Sequence, residues 1–148
     1  MKNKENVLSQ HYEINGGDFS NAGNISTQIK ETLKELGIRS SLIRRAAIAA
    51  YEAEMNVVMY AHQGQFQFSL TPSTIHFTVK DLGIGIEDIE LAMQEGYSTA
   101  TEELREMGFG AGMGLPNIKR NSDQFQISST PGKGTFLDIF FYLNQREK

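Results

Sequence analysis

Polar and apolar residues follow two different periods in the first third of the chain. Residues 9–14 alternate as a strand does, and the glycine-rich residues 15–17 predict a turn after it. Asp18 is a candidate N-cap for the helix that follows. That helix is predicted by apolar residues at helical spacing: Ile25, Ile29, Leu33 and Leu36. Gly37 should end it, because glycine adopts the left-handed conformation of a helix C-terminus without steric cost.

The longest helical pattern opens at Ser40 or Ser41 and runs to about Ala61. It is rich in alanine, and apolar residues cover most of its circumference, so we expect it to be the buried helix. Two strand-like stretches at residues 65–70 and 75–79 then flank a Thr-Pro-Ser turn. This arrangement predicts a β-hairpin.

The second half of the chain contains a long segment without regular hydrophobic periodicity. Residues 86–114 hold glycine, serine, threonine and charged residues with only short helical fragments, which favours a functional lid over a packed connection. A helix is predicted over residues 114–121, where Pro116 is tolerated in the first turn. Strands are predicted around residues 125–129 and 136–142, joined by a Pro-Gly-Lys-Gly turn.

The predicted order is strand, two helices, two strands, lid, helix and two strands. Such an order favours an α/β protein, more narrowly an α+β two-layer sandwich, with a mixed, mostly antiparallel sheet and helices on one face. The length of 148 residues suits a single domain, residues 1–148.

Composition narrows the classes of function. The chain has 39% hydrophobic and 22% charged residues, the balance of a soluble globular protein. Its formal net charge is -4 and its basic residues form no long stripe, which argues against nucleic acid as a partner. It has no cysteine, so disulfides and thiolate zinc sites are excluded. The polar start and the lack of a long apolar run lead us to expect a cytoplasmic protein without membrane association.

Glu52 and Asn56 are the first candidate site residues. They lie four positions apart on the predicted buried helix, about 40° around the axis and about 6 Å along it, so both point to one place. A carboxylate and a carboxamide among apolar neighbours cost free energy unless a partner, such as a metal or a nucleophile, compensates. A simple solvated helix flank is the alternative. Glu54 is a rival carboxylate, but it lies about 200° from Asn56 and faces the alanine stripe.

The segment Asp81-Leu-Gly83-Ile-Gly85 follows directly on a predicted strand. Glycines at alternate positions let the backbone approach a flat ligand, and a carboxylate at a strand end can accept hydrogen bonds from an exocyclic amine. A plain turn is the alternative, because aspartate and glycine are common turn residues.

The rarest pattern is a run of glycines at every second position that leads into a helix, Gly108, Gly110, Gly112 and Gly114. Their backbone N–H groups, ending at a helix N-terminus, are suited to cradle a triphosphate. The segment is neither a Walker A loop, since no Gly-Lys-Ser/Thr closes it, nor a Rossmann fingerprint, since no strand directly precedes it. A flexible structural loop is the alternative.

The order of these motifs resembles the GHKL ATP-binding fold: Glu-x-x-x-Asn on a helix, Asp-x-Gly-x-Gly, a glycine-rich lid, then Gly-Lys-Gly-Thr before the last strand. The resemblance covers about residues 9–142. It is narrower to stand-alone anti-sigma serine kinases and to the switch serine/threonine kinases, through Asn-Val-Val-Met-Tyr-Ala at 56–61 and Gly-Tyr-Ser-Thr at 96–99.

The resemblance implies roles around the phosphates of ATP. Asn56 would hold Mg²⁺ through its side-chain oxygen and Glu52 would be the general base. The glycines from Gly108 to Gly114 would wrap the phosphates, and Arg105 stands where some relatives place an arginine near the γ-phosphate.

The resemblance also implies roles around the adenine. Asp81 would accept a hydrogen bond from the amino group of the base, and Thr135 would assist through a water molecule. Gly83 and Gly85 would shape the base pocket.

The activity implied is transfer of the γ-phosphoryl group from MgATP to a serine or threonine of a STAS-type anti-sigma-factor antagonist, with a sigma factor as a further partner. An ATP-dependent binding regulator without significant transfer is the alternative, and a detached histidine-kinase ATP domain is a third. Glu52 favours the first, since a pure binder needs no base. The sequence itself says nothing about dimerisation, although such relatives often form homodimers.

Overall fold

A computed structural model of the chain describes residues 7–96 and 113–143. The strands are β1 (Leu8–Asn15), β2 (Ala61–Leu70), β3 (Thr74–Gly83), β4 (Gln124–Thr130) and β5 (Gly134–Tyr142). The helices are α1 (Asn24–Glu35), α2 (Ser40–Tyr60), the short α3 (Ile89–Ala92) and α4 (Gly114–Asn121). The predicted elements are therefore present in the predicted order.

The described strands form one sheet in the order β1-β2-β3-β5-β4. Neighbouring strands pair antiparallel throughout, which confirms the expectation of a mostly antiparallel sheet. β5 lies between β3 and β4, so the turn that precedes it comes next to the end of β3. This topology brings Thr135 close to Asp81.

The core lies between the sheet and the helices on one of its faces. Alternate residues of the strands point to the helices and are buried, while their neighbours face outward. The inner face is rich in aromatic residues: Phe66, Phe68, Phe77 and Phe141 are fully buried. The ring centroid of Phe77 lies 5.2 Å from that of Phe66 and 5.4 Å from that of Phe141, so three adjacent strands share one aromatic cluster.

α2 is the buried helix that its alanine content predicts. Four of its five alanines face the core and are fully buried: Ala46, Ala49, Ala50 and Ala53. Small side chains let neighbouring elements approach closely, and α2 packs against α1, α4 and the sheet. Residues on α2 are therefore well placed to connect the sheet with the flanking helices.

Two local expectations in the first third of the chain are wrong. Asp18 does not cap α1, because the helix begins at Asn24 with Gly23 at its N-cap, and the Asp18 carboxylate instead accepts hydrogen bonds from Ser20 and Asn21. Leu36 is not part of the apolar stripe and is 46% exposed, since α1 has already ended. Gly37 does follow the end of the helix with φ of 76°, as predicted.

The predicted turns and the post-lid helix are confirmed. The hairpin between β2 and β3 is closed by a hydrogen bond from Thr71 N to Thr74 O of 2.9 Å. The Pro-Gly-Lys-Gly turn connects β4 and β5 and is closed from Lys133 N to Thr130 O, also at 2.9 Å. No helix in the described part of the chain is long and apolar enough to span a bilayer.

Candidate functional site

Asp81 lies at the end of β3 on the inner face of the sheet and is 9% exposed. Its Oδ1 accepts a hydrogen bond of 3.1 Å from the backbone N–H of Thr135. Burial raises the pKa of Asp81 above its usual 3.8, and the hydrogen bond from Thr135 opposes that rise. No described residue donates to Oδ2.

Ser129 connects the groups around Asp81 and was missed by the sequence analysis. Its hydroxyl donates to the carbonyl of Gly134 at 2.9 Å and accepts from Ile86 N at 2.7 Å. It also lies 2.9 Å from Oγ1 of Thr135. Because the single proton of Ser129 is given to Gly134, the Thr135 hydroxyl must donate to Ser129. Thr135 Oγ1 keeps both of its lone pairs as acceptors beside Asp81.

Gly83 and Gly85 are required by packing of backbone on backbone. A Cβ atom at Gly83 would lie 2.7 Å from the carbonyl oxygen of Tyr60, at the end of α2. A Cβ atom at Gly85 would lie 2.4 Å from the carbonyl oxygen of Thr130, and its φ is 75°. These glycines therefore hold the end of β3 against α2 and against the β4–β5 turn.

Glu52 lies on α2 where that helix meets the start of α4. The side chain is half-buried, and its Oε2 accepts a hydrogen bond of 3.0 Å from Nδ2 of Asn117. A Cβ atom at Gly114 would lie 3.5 Å from Glu52 Oε1, so the carboxylate touches the first turn of α4. Glu52 thus stands beside the helix N-terminus that the sequence analysis assigned to phosphate.

Asn56 lies one turn further along α2, midway between Glu52 and Tyr60. The helical rise puts it about 6 Å along the axis from each of them. It is half-buried, and its side-chain amide has no hydrogen-bond partner among residues 7–96 and 113–143. Asn56 therefore lies between the start of α4 and the end of β3, and no described residue engages its amide.

Glu54, the rival carboxylate, has a different environment. It is 3% exposed, and its Oε2 accepts a hydrogen bond of 3.0 Å from Gly23 N. Burial raises the pKa of Glu54, while the hydrogen bond from the backbone N–H of Gly23 opposes the rise. Gly23 is the N-cap residue of α1 and has no side chain with which to cap the helix. The Glu54 carboxylate therefore holds the residue at which α1 begins.

The start of α4 presents backbone N–H groups that no described side chain caps. Met113 is the N-cap residue and provides no side-chain cap, and the first turn carries no acidic residue. Backbone N–H groups at such a helix N-terminus favour an anion. Pro116 lies in the first turn, as predicted, where its missing N–H removes no helical hydrogen bond.

Several predicted site residues lie outside the described residues. They are Arg105, Gly108, Gly110 and Gly112, together with most of the predicted lid. Within the described ranges, no group of three or more histidine, aspartate or glutamate side chains could hold a metal ion. The structure brings Glu52 to Gly114 and Asp81 to Thr135, and α2 with Asn56 connects the two pairs.

The sequence profile of the histidine kinase-, DNA gyrase B- and HSP90-like ATPases matches residues 42–146. This chain belongs to that family. The match covers every residue of the site described above, from Glu52 to Thr135. The GHKL resemblance expected from the motifs is confirmed.

Relatives within this ATPase family include two kinds of regulator. The chain is 30% identical over 118 residues to the serine/threonine-protein kinase RsbT of Bacillus subtilis, covering 77% of this chain and 83% of the relative. It is 33% identical over 102 residues to an anti-sigma F factor of Caldanaerobacter subterraneus, covering 66% of this chain and 68% of the relative.

A solved structure has a similar fold. One chain in the crystal structure of the SiaB-SiaC complex from Pseudomonas aeruginosa superposes with a TM-score of 0.56 at 15% sequence identity. The similarity covers 94% of this chain and 91% of that one. At this identity the likeness concerns the fold.

Proposed function

We propose that this chain is a serine/threonine protein kinase that transfers the γ-phosphoryl group of MgATP to a hydroxyl of a STAS-type antagonist protein. This class of activity is supported by the relatives, which are a serine/threonine-protein kinase and anti-sigma F factors. The reaction uses ATP and would take place in the cytoplasm, in a pathway that controls a sigma factor or a comparable regulator.

One observation favours phosphoryl transfer over simple ATP binding. The Glu52 carboxylate lies against Gly114, at the N-terminus of α4. If that N-terminus binds the phosphates, a carboxylate stands beside the phosphoryl group that is transferred. A protein that uses ATP only to set its shape has no need of this base.

The adenine would lie at the other end of α2. Oδ2 of Asp81, to which no described residue donates, would accept from the exocyclic amine, and Oγ1 of Thr135 offers a second acceptor next to it. Both oxygens only accept in this arrangement, which suits an amino group better than a carbonyl oxygen at that position of the purine. The site should therefore bind ATP in preference to GTP.

Mg²⁺ fits the residues present. No described residue engages the side-chain oxygen of Asn56, and magnesium in such sites is held by one or two protein oxygens together with phosphates and water. When bound, the ion would neutralise charge on the phosphates. Asn56 would hold it, and Glu52, four residues earlier, would remain available for the acceptor hydroxyl.

In the proposed reaction the oxygen of the acceptor serine or threonine forms a bond to the γ-phosphorus. The bond from that phosphorus to the oxygen that bridges it to the β-phosphate breaks, and ADP leaves. The proton of the acceptor hydroxyl goes to Glu52. Such transfer depends chiefly on positioning and charge stabilisation.

The test is incubation of the purified chain with γ-labelled ATP, Mg²⁺ and STAS-type proteins encoded in the same genome. Wild type should label one of them on serine or threonine. Glu52→Ala should retain ATP affinity and lose transfer, while Glu31→Ala, on the exposed side of α1, should change neither.

Two results would contradict the proposal in different ways. Full transfer by Glu52→Ala would make the assignment of the base wrong. Nucleotide-dependent complex formation without labelling of any partner by wild type would instead favour the binding regulator.

A further inference from the structure

Asn117 lies on α4 between two charged side chains. Its Nδ2 donates to Glu52 Oε2 at 3.0 Å, and its Oδ1 accepts from Nη1 of Arg120 at 2.9 Å. Arg120 in turn forms an ion pair with Glu95. The amide therefore uses both its ends to connect Glu52 with a held guanidinium.

Arg120 determines which way the amide of Asn117 faces. A guanidinium only donates hydrogen bonds, so the atom of Asn117 that it contacts must be the oxygen. The nitrogen then necessarily points to Glu52, whose ionised carboxylate only accepts. A flipped amide would put two donors together at Arg120 and two acceptors together at Glu52.

From this geometry we propose that Asn117 is a positioning residue for Glu52, and that Arg120 keeps its amide in the orientation this requires. The proposal rests on the role of Glu52 as the base in the function proposed above. The hydrogen bond occupies Oε2 and fixes the carboxylate, which leaves Oε1, the atom nearest Gly114, directed at the proposed phosphate site.

A purely structural link between the helices does not account for Asn117. Arg45 on α2 already fastens the far end of α4, donating from Nε to the carbonyl of Asn121 at 2.9 Å and from Nη2 to Asp123 at 2.8 Å. Asparagine is also a poor helix former, so α4 would be more stable with alanine at position 117. A helix that keeps asparagine there gains something other than helix stability.

The test compares Asn117→Ala with Lys119→Ala, an exposed position on the same helix. Removal of the amide should lower the single-turnover rate of transfer by about tenfold to a hundredfold, since misplaced catalytic groups cost about that much. ATP affinity should stay within about twofold of wild type, because Asn117 contacts the proposed general base, Glu52, and not the nucleotide. Lys119→Ala should match wild type in both.

A double-mutant cycle between Asn117 and Glu52 distinguishes a loss of positioning from a loss of folding. Asn117→Ala should have no further effect on the residual transfer rate in a Glu52→Gln background, because the group that it orients has been removed. Arg120→Ala should lower the rate in the wild-type background, and Arg120→Lys, which still donates to the amide oxygen, should restore part of it.

The contact itself is checked by nuclear magnetic resonance, without activity. The side-chain amide signals of Asn117, assigned by their loss in Asn117→Asp, should move in Glu52→Ala and stay unchanged in Lys119→Ala. Unmoved signals would overturn the inference.

The kinetic outcomes distinguish this inference from the proposed function. Equal or faster transfer by Asn117→Ala in an active protein would overturn the inference alone. A wild type that transfers no phosphate would overturn the proposed function, and the catalytic meaning of Asn117 with it.

Discussion

Gly134 packs directly on the backbone of Asp81. A Cβ atom at position 134 would lie 2.1 Å from the Asp81 carbonyl oxygen, and the φ of Gly134 is 141°. Only glycine allows this approach, which puts the next residue, Thr135, within hydrogen-bond distance of the Asp81 carboxylate. The contact gives the glycine of the β4–β5 turn a definite task at the candidate site.

We expect Gly134→Ala to destabilise the fold strongly, by about 3 kcal/mol or more, because steric overlap and an unfavourable φ act together. Gly132→Ala is the matched control in the same turn. Its φ is 81° but nothing lies within 4 Å of a Cβ atom there, so only the backbone penalty of about 1 to 2 kcal/mol should remain. Urea denaturation measures both, and equal losses would contradict the packing argument.

Asp81→Asn should weaken ATP binding by about tenfold to a hundredfold, the value of a hydrogen bond to a charged group. The amide keeps the shape of the carboxylate but can present a donor where the adenine amino group needs an acceptor. Asp138→Asn makes the same chemical change on the outer face of β5, where Asp138 contacts His76, and should leave affinity unchanged. Isothermal titration calorimetry with ATP measures the affinity of both variants, and equal affinities would contradict the role proposed for Asp81.

Ser129→Ala should cost about 1 to 3 kcal/mol of stability, because it leaves the backbone N–H of Ile86 without its acceptor. ATP affinity should also fall, since the Thr135 hydroxyl loses the partner that orients it. Ser128→Ala, one residue earlier and exposed on the other face, should be neutral in both measurements. A neutral Ser129→Ala would show that the hydroxyl network is dispensable.

Glu54 should make stability depend on pH. Its raised pKa means that the folded chain binds this proton more tightly than the unfolded chain, whose pKa is near 4.5. This contribution to stability is complete below that value and is lost as pH rises through the raised pKa. The unfolding free energy of wild type should therefore fall relative to Glu54→Gln as the pH rises above the unfolded pKa of 4.5.

The control for this measurement is Glu35→Gln, an exposed glutamate at the end of α1. Its difference from wild type should stay constant over the same range. Denaturant titrations at several pH values provide the data. A difference between wild type and Glu54→Gln that does not change with pH would mean that burial does not perturb this carboxyl.

Hydrophobic periodicity correctly predicted those helices and strands whose boundaries depend on which of their residues pack in the core. α2 begins at Ser40 and α4 spans Gly114–Asn121, both as the pattern indicated. The start of α1 was mispredicted at Asp18 because it depends on Gly23 and on Glu54, a partner 31 residues away. A short window of sequence contains no information about such a distant partner.

The candidate site shows the same division. Motif order indicated Asp81 and Thr135, which the structure joins. Asn117 was missed because its partner Glu52 is 65 residues away and a single asparagine in a helix carries no pattern. Ser129 did have a signal: it is a hydroxyl residue at an inward position of a strand whose earlier inward residues are apolar. The roles in binding and catalysis of all the candidate site residues stay predictions: Glu52, Asn56, Asp81, Gly83, Gly85, Arg105, Gly108, Gly110, Gly112, Gly114 and Thr135.

β5 follows the other described strands in sequence, yet it lies inside the sheet and not at its edge. During translation β3 can pair with β2 but lacks β5, its second neighbour in the sheet. Until Thr135 has emerged from the ribosome, no backbone N–H of that residue can donate to the Asp81 carboxylate. A nascent chain that ends before Thr135 contains α2 with Glu52 but lacks the β5 residue that would contact the adenine. Nucleotide binding should therefore not be acquired before this strand has inserted.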